Sequence, residues 1–237
     1  MAIQLIGNSG TISEIESNTR ASRTVLRSND FGIGGVFSLV CGSTTVISSQ
    51  PSATQIVASF RNSGPPGTAG AGTLTIVPMA LIRSVYITVN PTSVAFSTPS
   101  AFQVDLNIVR DYVTDASGGV SATLISSGYN FRLRSNFNVS PMTIRYSGSG
   151  TALSAGTGTV DTQPIASLVG QFSTIATGQS IIPGLPLWNT ESESEYPIAI
   201  NLNEGILIRT TFTTAATGTA GTWTFRAAIK WMETPYL

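Results

Sequence analysis

Near the C-terminus, Trp223, Phe225, Ala227, Ile229 and Trp231 fall on alternate positions, with Thr224, Arg226, Ala228 and Lys230 between them. A period of two is the signature of a strand buried on one face. Two indoles and a phenyl ring on one face supply enough apolar area to anchor a core. The stretch before it repeats the theme. Pro197–Leu202 is short and apolar, Asn203-Glu204-Gly205 reads as a turn, and Ile206–Phe212 is a second β-branched run. The pattern predicts a C-terminal β-meander that closes a sandwich or barrel.

The rest of the chain extends this pattern. Short strands are expected at Val36–Cys41, Thr44–Ser48, Gln55–Phe60, Ser121–Ser126, Asn130–Asn136 and Met142–Tyr146, and long ones at Leu74–Val89, broken at Pro78, and at Ala101–Val113. Thr44–Ser48 is expected to pair with Val36–Cys41 across Gly42-Ser43. Pro78, which has no N–H to give a ladder, is placed at an edge or bulge. Arg61–Gly72 and Ser147–Thr159 read as loops by their Gly, Ser and Pro content. Pro164 suggests one helical turn within Val160–Val169, and Pro183–Trp188 reads as a hydrophobic bend. Together these segments predict an all-β chain: an antiparallel β-sandwich or jelly-roll-like body over 31–237.

Residues 1–30 differ. Glu14, Glu16, Arg20, Arg23, Arg27 and Asp30 concentrate charge in a chain that has little. No sustained apolar face runs through 18–27, and Gly7–Gly10 reads as a turn between two extended pieces. The segment is expected to be an extended arm, and Glu14, Glu16, Arg20, Arg23 and Arg27 are its candidate docking residues. The simpler alternative is an edge hairpin with a solvated charge run.

Composition narrows function more than it names it. Charged residues are 10% of the 237, against roughly 25% in an ordinary soluble domain. A surface made of Ser and Thr repels neighbours weakly, which suits a protein covered by other subunits. The formal net charge is zero, so no positive field favours nucleic acid. The longest apolar run, near Ile76–Ile82, falls far short of the ~20 residues that span a bilayer, so no membrane partner is expected. The opening Met1–Ile6 has no basic region or signal-length apolar core, which predicts synthesis in the cytoplasm.

Histidine is absent and cysteine occurs once, at Cys41. No Ser-His-Asp or Cys-His arrangement can form, and a zinc site has too few ligands. Catalytic residues, metals and cofactors are therefore expected to be none. Carboxylate pairs leave a glycan hydrolase as the weakest surviving enzyme reading. Asp105 and Asp111 would stand ~20 Å apart at strand rise, too far for acid–base work. Asp105, Asp111 and Asp115 are expected to be solvated strand and turn carboxylates. Glu191, Glu193 and Glu195 form a solvated acidic run, and Asn138-Val139-Ser140 matches a glycan acceptor that is discounted without a secretion signal. A glycan-binding sandwich would use exposed rings, with Tyr129, Tyr146, Trp188 and Tyr196 as loop candidates. Core or interface packing is their simpler role.

Several stretches carry a resemblance. They are Gln4–Ile15 with Arg20-Ala21-Ser22-Arg23, then Phe131–Ser135, Leu153–Thr157, Asp161–Ile165, and Asn203–Arg209 with Gly221-Thr222-Trp223. In this order they resemble structural, decoration- or cement-like virion proteins of tailed double-stranded DNA bacteriophages. The resemblance implies a non-enzymatic virion protein assembled in the host cytoplasm. It would be a homo-oligomer that contacts the major capsid protein or other virion proteins, with the N-terminal arm docking on the shell or a neighbour. A tail, baseplate or receptor-recognition module is the alternative.

Overall fold

A computed structural model describes residues 4–6, 12–15, 22–25, 35–42, 47–48, 54–64, 78–91, 100–122, 140–148, 153–172, 182–190, 196–212 and 222–234. The strands in chain order are β1 Gln4–Ile6, β2 Ile12–Ile15, β3 Ser22–Val25, β4 Gly35–Gly42, β5 Ile47–Ser48, β6 Gln55–Asn62, β7 Met79–Pro91 and β8 Ser100–Arg110. They continue with β9 Val120–Ala122, β10 Met142–Tyr146, β11 Thr159–Val160, β12 Ala166–Phe172, β13 Ile182–Asn189, β14 Ile198–Ile200, β15 Gly205–Phe212 and β16 Thr222–Thr234.

The fold is an all-β sandwich of two antiparallel sheets. One sheet has seven strands in the order β11-β8-β15-β6-β10-β9, with β12 also on β8. The other has six in the order β13-β7-β16-β4, with β14 on β7 and β5 on β16. A third, three-stranded sheet pairs β1, β2 and β3 in sequence.

The alternation in β16 places the core as expected. Trp223, Phe225, Ala227, Ile229 and Trp231 are all fully buried, while Arg226 and Lys230 are exposed. Facing them from the seven-stranded sheet are Phe60, Phe102, Val104, Leu106, Ile144, Ile206 and Ile208, in one continuous cluster. Trp231 stacks on Phe37 of its own sheet, with ring centres 5.4 Å apart, and takes the edge of Phe60 from the other sheet at 5.2 Å. Trp223 meets Phe102 edge-on at 5.1 Å. Offset and edge-to-face rings favour the ring quadrupole over a face-to-face sandwich, so both ends of β16 are tied across the sandwich.

Two register shifts let side chains escape strict alternation. On β7 the register against β16 moves between Lys230 and Trp231, so Ile82 and Val85, three apart, are both buried inward. On β6 the register against β15 moves at Ile208 and Arg209, and the consecutive Val57 and Ala58 are both buried.

Several expectations need correction. The C-terminal strands are not a meander: β14 and β16 lie in the six-stranded sheet and β15 in the seven-stranded one. The chain crosses the sandwich twice here, because periodicity reports burial and not which sheet takes the strand. Of the expected strand Thr44–Ser48 the described residues are Ile47 and Ser48, which form β5 and pair with β16 rather than β4. Val160–Val169 forms no helical turn. Ile165 donates its N–H to the Leu106 carbonyl at 2.9 Å, and Ala166–Phe172 pairs along β8. That pairing satisfies the backbone that a helix would have satisfied locally. Pro183–Trp188 is not a bend but the middle of β13, whose two register shifts accommodate its prolines on a sheet edge.

The predicted Arg61–Gly72 loop begins too early. Arg61 and Asn62 end β6, and Asn62 is fully buried. Its amide donates to the Pro78 carbonyl at 2.8 Å and to Ile200 at 3.3 Å, and its side-chain oxygen accepts from Gly64 N–H. One asparagine thus joins the end of β6 to the start of β7 and to β14. Residues 65–72 and the expected strand 130–136 lie outside the described residues.

Cys41 sits on the inner face of β4, and burial pushes its thiol up to about 12. A thiol with that pKa carries almost no thiolate at pH 8. We expect no reaction with an aromatic disulfide reagent in the folded protein and one equivalent after unfolding. Rapid native labelling would contradict the burial.

Candidate functional site

Charged groups that could do work gather at one end of the seven-stranded sheet, where β8 leaves the ladder. Asp111 turns the chain with φ 51, and Asn203 turns the neighbouring connection with φ 59. Acidic and amide side chains tolerate this left-handed region better than most. Between these turns lies Arg61, whose side chain is only 12% exposed. Its Nη1 donates to Asp115 at 2.7 Å, and Nη2 donates to the Val113 carbonyl at 2.9 Å and to Asn203 Oδ1 at 3.2 Å. Its Nε donates to the Tyr112 carbonyl, and the guanidinium lies 6.0 Å from the Tyr112 ring centre. The planar fork of arginine suits this, because its donors point in fixed directions.

The loop is tied from other sides as well. Tyr112 N–H bonds the Asn203 carbonyl at 2.6 Å, and Val113 N–H bonds Thr157 at 2.9 Å. Tyr112 itself is buried beside Val109 and Leu207, and burial raises its phenol above the ordinary value of 10. Gly205 opens β15 where an added Cβ would collide with the Phe60 carbonyl and the Tyr112 ring, so only glycine lets the loop lie this close. On the rim, Arg110 reaches Asp161 and Glu204, both at 3.4 Å. Arg110 is 53% exposed, so these pairs set charge pattern more than stability.

Along the outer face of the same sheet runs a polar row. Asp105 Oδ1 accepts from Gln103 at 2.8 Å and from Ser167 at 2.7 Å. Asn107, fully buried, accepts from Arg209 Nε at 2.9 Å and donates to the Asp161 carbonyl. Asp105 is therefore a buried, hydrogen-bonded carboxylate and not a solvated one. Asp111 is exposed as expected, and Asp115 is half-exposed but paired with Arg61. Among the described residues no group of three or more Cys, Asp or Glu could hold a metal ion. No helix among them is long and apolar enough to cross a membrane.

Glu233 is a second buried carboxyl, and its sequence position gave no sign of it. Its Oε1 accepts from Trp231 Nε1 at 3.0 Å and from Ser140 Oγ. Ser140, the last residue of the discounted glycan-acceptor triplet, is itself buried. Burial raises the Glu233 pKa above 4.5, against the pull of its two donors. The folded state therefore holds this proton more tightly than the unfolded chain. The stability it gives is complete below pH 4.5 and is lost as pH rises through the folded pKa. Glu233→Gln keeps an oxygen for both donors and cannot ionise. We expect the variant to lack this fall, so that stability measured by urea unfolding favours it increasingly with pH. A wild-type advantage at neutral pH would overturn the assignment.

The predicted site residues are scattered. Glu14 and Arg23 are direct partners across β2 and β3. Glu16, Arg20, Arg27, Tyr129, Glu191, Glu193 and Glu195 lie outside the described residues. Tyr146 and Trp188 are in strands rather than loops, half-buried and packed against the core. Among the described aromatic candidates, Tyr196 alone is widely exposed, at 90%. Neither protein-family models nor curated proteins match this chain.

Proposed function

We propose that this chain is a non-enzymatic structural protein of a tailed-phage virion, a capsid decoration or cement protein that stabilises the shell through contacts between subunits. It would assemble in the host cytoplasm, with the major capsid protein or other virion proteins as partners and residues 1–30 as its docking arm. The observation that carries this reading is the surface. Val40, Val169 and Val113 are 67%, 61% and 52% exposed on a chain with 10% charged residues. A surface with so little charge repels its neighbours weakly, which suits one that other subunits cover. The described buried ionisable groups support it too. Asp105, Glu233 and Arg61 each serve as hydrogen-bonding ties within the fold. The motifs that resemble phage virion proteins supply the particle.

Peptide mass spectrometry on gradient-purified particles tests this directly, with copy number set against the major capsid protein. Hundreds of copies are expected. A dozen or fewer would move the chain to the tail or vertices and favour receptor recognition, for which Tyr196 is an exposed ring among the described residues. Absence from the particles would overturn the virion role.

A further inference from the structure

The outer face of the six-stranded sheet is organised in three parallel rows. Ala228 is paired with Val40 on one side and Tyr86 on the other, which makes an apolar middle row. On one flank Lys230 lies between Ser38 and Ser84, and on the other Arg226 lies between Gly42 and Thr88. Each flanking row is about 7 Å from the middle one at strand rise. An added Cβ at Gly42 would meet Arg226 Cγ at 2.9 Å, so the arginine stem lies across the bare glycine. Arg83 is exposed near the same end as Lys230. Among the described residues, the strands of this sheet carry Arg83, Arg226 and Lys230 and no exposed carboxylate, since Glu233 is buried.

The complementary surface is on the same chain. The loop end of the seven-stranded sheet holds Asp111, Asp115, Asp161 and Glu204 against Arg61 and Arg110. Arg145 adds a third guanidinium, donating to the Gly118 carbonyl of the same loop at 2.7 Å, so four carboxylates face three guanidiniums and the surface is acidic by one charge. Two apolar side chains stand in it, Val113 at 52% and Leu202 at 43% exposure. The Val113 backbone is held on both sides, its N–H by Thr157 and its carbonyl by Arg61. A bare side chain on a fixed backbone is a preorganised anchor, because little freedom is lost when it is covered.

We infer that these two surfaces are the two halves of one contact between copies of this chain. Val113 and Leu202 of one copy seat on the Val40–Ala228–Tyr86 row of the next, and the acidic loops meet Arg226 and Lys230. An apolar centre with a rim of opposite charges is the ordinary anatomy of a specific interface. The halves are different patches, so the contact is head-to-tail and builds rings or open chains rather than a two-fold dimer. It stands on these surfaces whatever particle the chain belongs to.

Sedimentation of the purified full chain over a range of concentration and salt tests the contact. Self-association is expected, weakened about tenfold between ~0.05 and ~0.5 M salt as the rim is screened. Arg226→Glu with Lys230→Glu changes the face, and Asp111→Asn with Val113→Lys changes the loop end. All four positions are exposed, so both variants are expected to melt like wild type. Each variant alone is expected to associate about tenfold more weakly, and an equimolar mixture to recover pairing, because the unchanged loop end of the face variant meets the unchanged face of the loop variant. Association that survives the face variant would overturn the proposal, as would a mixture that fails to recover. A wild-type chain that stays monomeric yet binds an immobilised polyglutamate would also overturn it, since the face would then take a foreign acidic partner. A monomer found at shell copy number in particles would sink this contact and leave the virion role standing.

Discussion

Trp231→Ala is expected to destabilise the protein by about 3–5 kcal/mol, the usual range for emptying a fully buried tryptophan site. The ring stands between Phe37 on its own sheet and Phe60 on the other. Removing it abandons both aromatic contacts and leaves a void at the interface of the two sheets. It also takes away Nε1, one of the two donors to Glu233. A buried carboxyl that loses a donor becomes harder to accommodate, so the cost falls toward the upper part of the range. Against a total stability of about 5–15 kcal/mol, this is a large fraction. Urea unfolding followed by tryptophan fluorescence would show it as a much lower midpoint. Lys230→Ala, one residue away on the exposed face, is the control and is expected to stay within about 0.5 kcal/mol. A Trp231→Ala loss below about 1 kcal/mol would mean that the two sheets are not joined through this ring.

The contrast between Trp231 and Lys230 was legible in the sequence, because a strand with one buried face writes its burial in a period of two. The same is true of β8, where Phe102, Val104 and Leu106 are buried toward the core. What periodicity cannot convey is the partner. The three C-terminal strands look like neighbours because they follow one another in the chain, yet they alternate between sheets. Pro164 looked like a helix start because that signal is local, whereas the register of β12 against β8 is set by residues some 60 positions away. The charged sites were illegible for the same reason. Asp115 lies 54 residues from Arg61, and Ser140 lies 93 from Glu233. Asn62 looked like loop composition, and only the approach of Pro78 and Ile200 makes it a buried tie.

Arg61→Ala is expected to have the second largest effect, and a different kind of effect. The guanidinium serves the carbonyls of Tyr112 and Val113 and the side chains of Asp115 and Asn203. Truncation leaves those acceptors without a donor, and each buried one costs about 1–3 kcal/mol. Asp115 is 36% exposed and can recover water, so the total is expected near 2–3 kcal/mol rather than the higher cost of orphaning a fully buried charge. Arg61→Lys should recover little of it. A single ammonium cannot reach four acceptors spread around a planar fork. The loss should also be local first. The loop from Asp111 to Gly119 depends on this side chain, whereas β7 and β16 are held by the aromatic core. Hydrogen exchange of the Arg61→Ala chain should therefore quicken at Val113 and Ser117, whose N–H groups bond Thr157 and Ser154, well before it quickens along β16. Uniform quickening across both sheets would show that Arg61 holds the whole sandwich. Unchanged exchange at the loop would show that the backbone bonds to Thr157, Ser154 and Asn203 hold it without the arginine. In the second case the anchor at Val113 would no longer rest on Arg61.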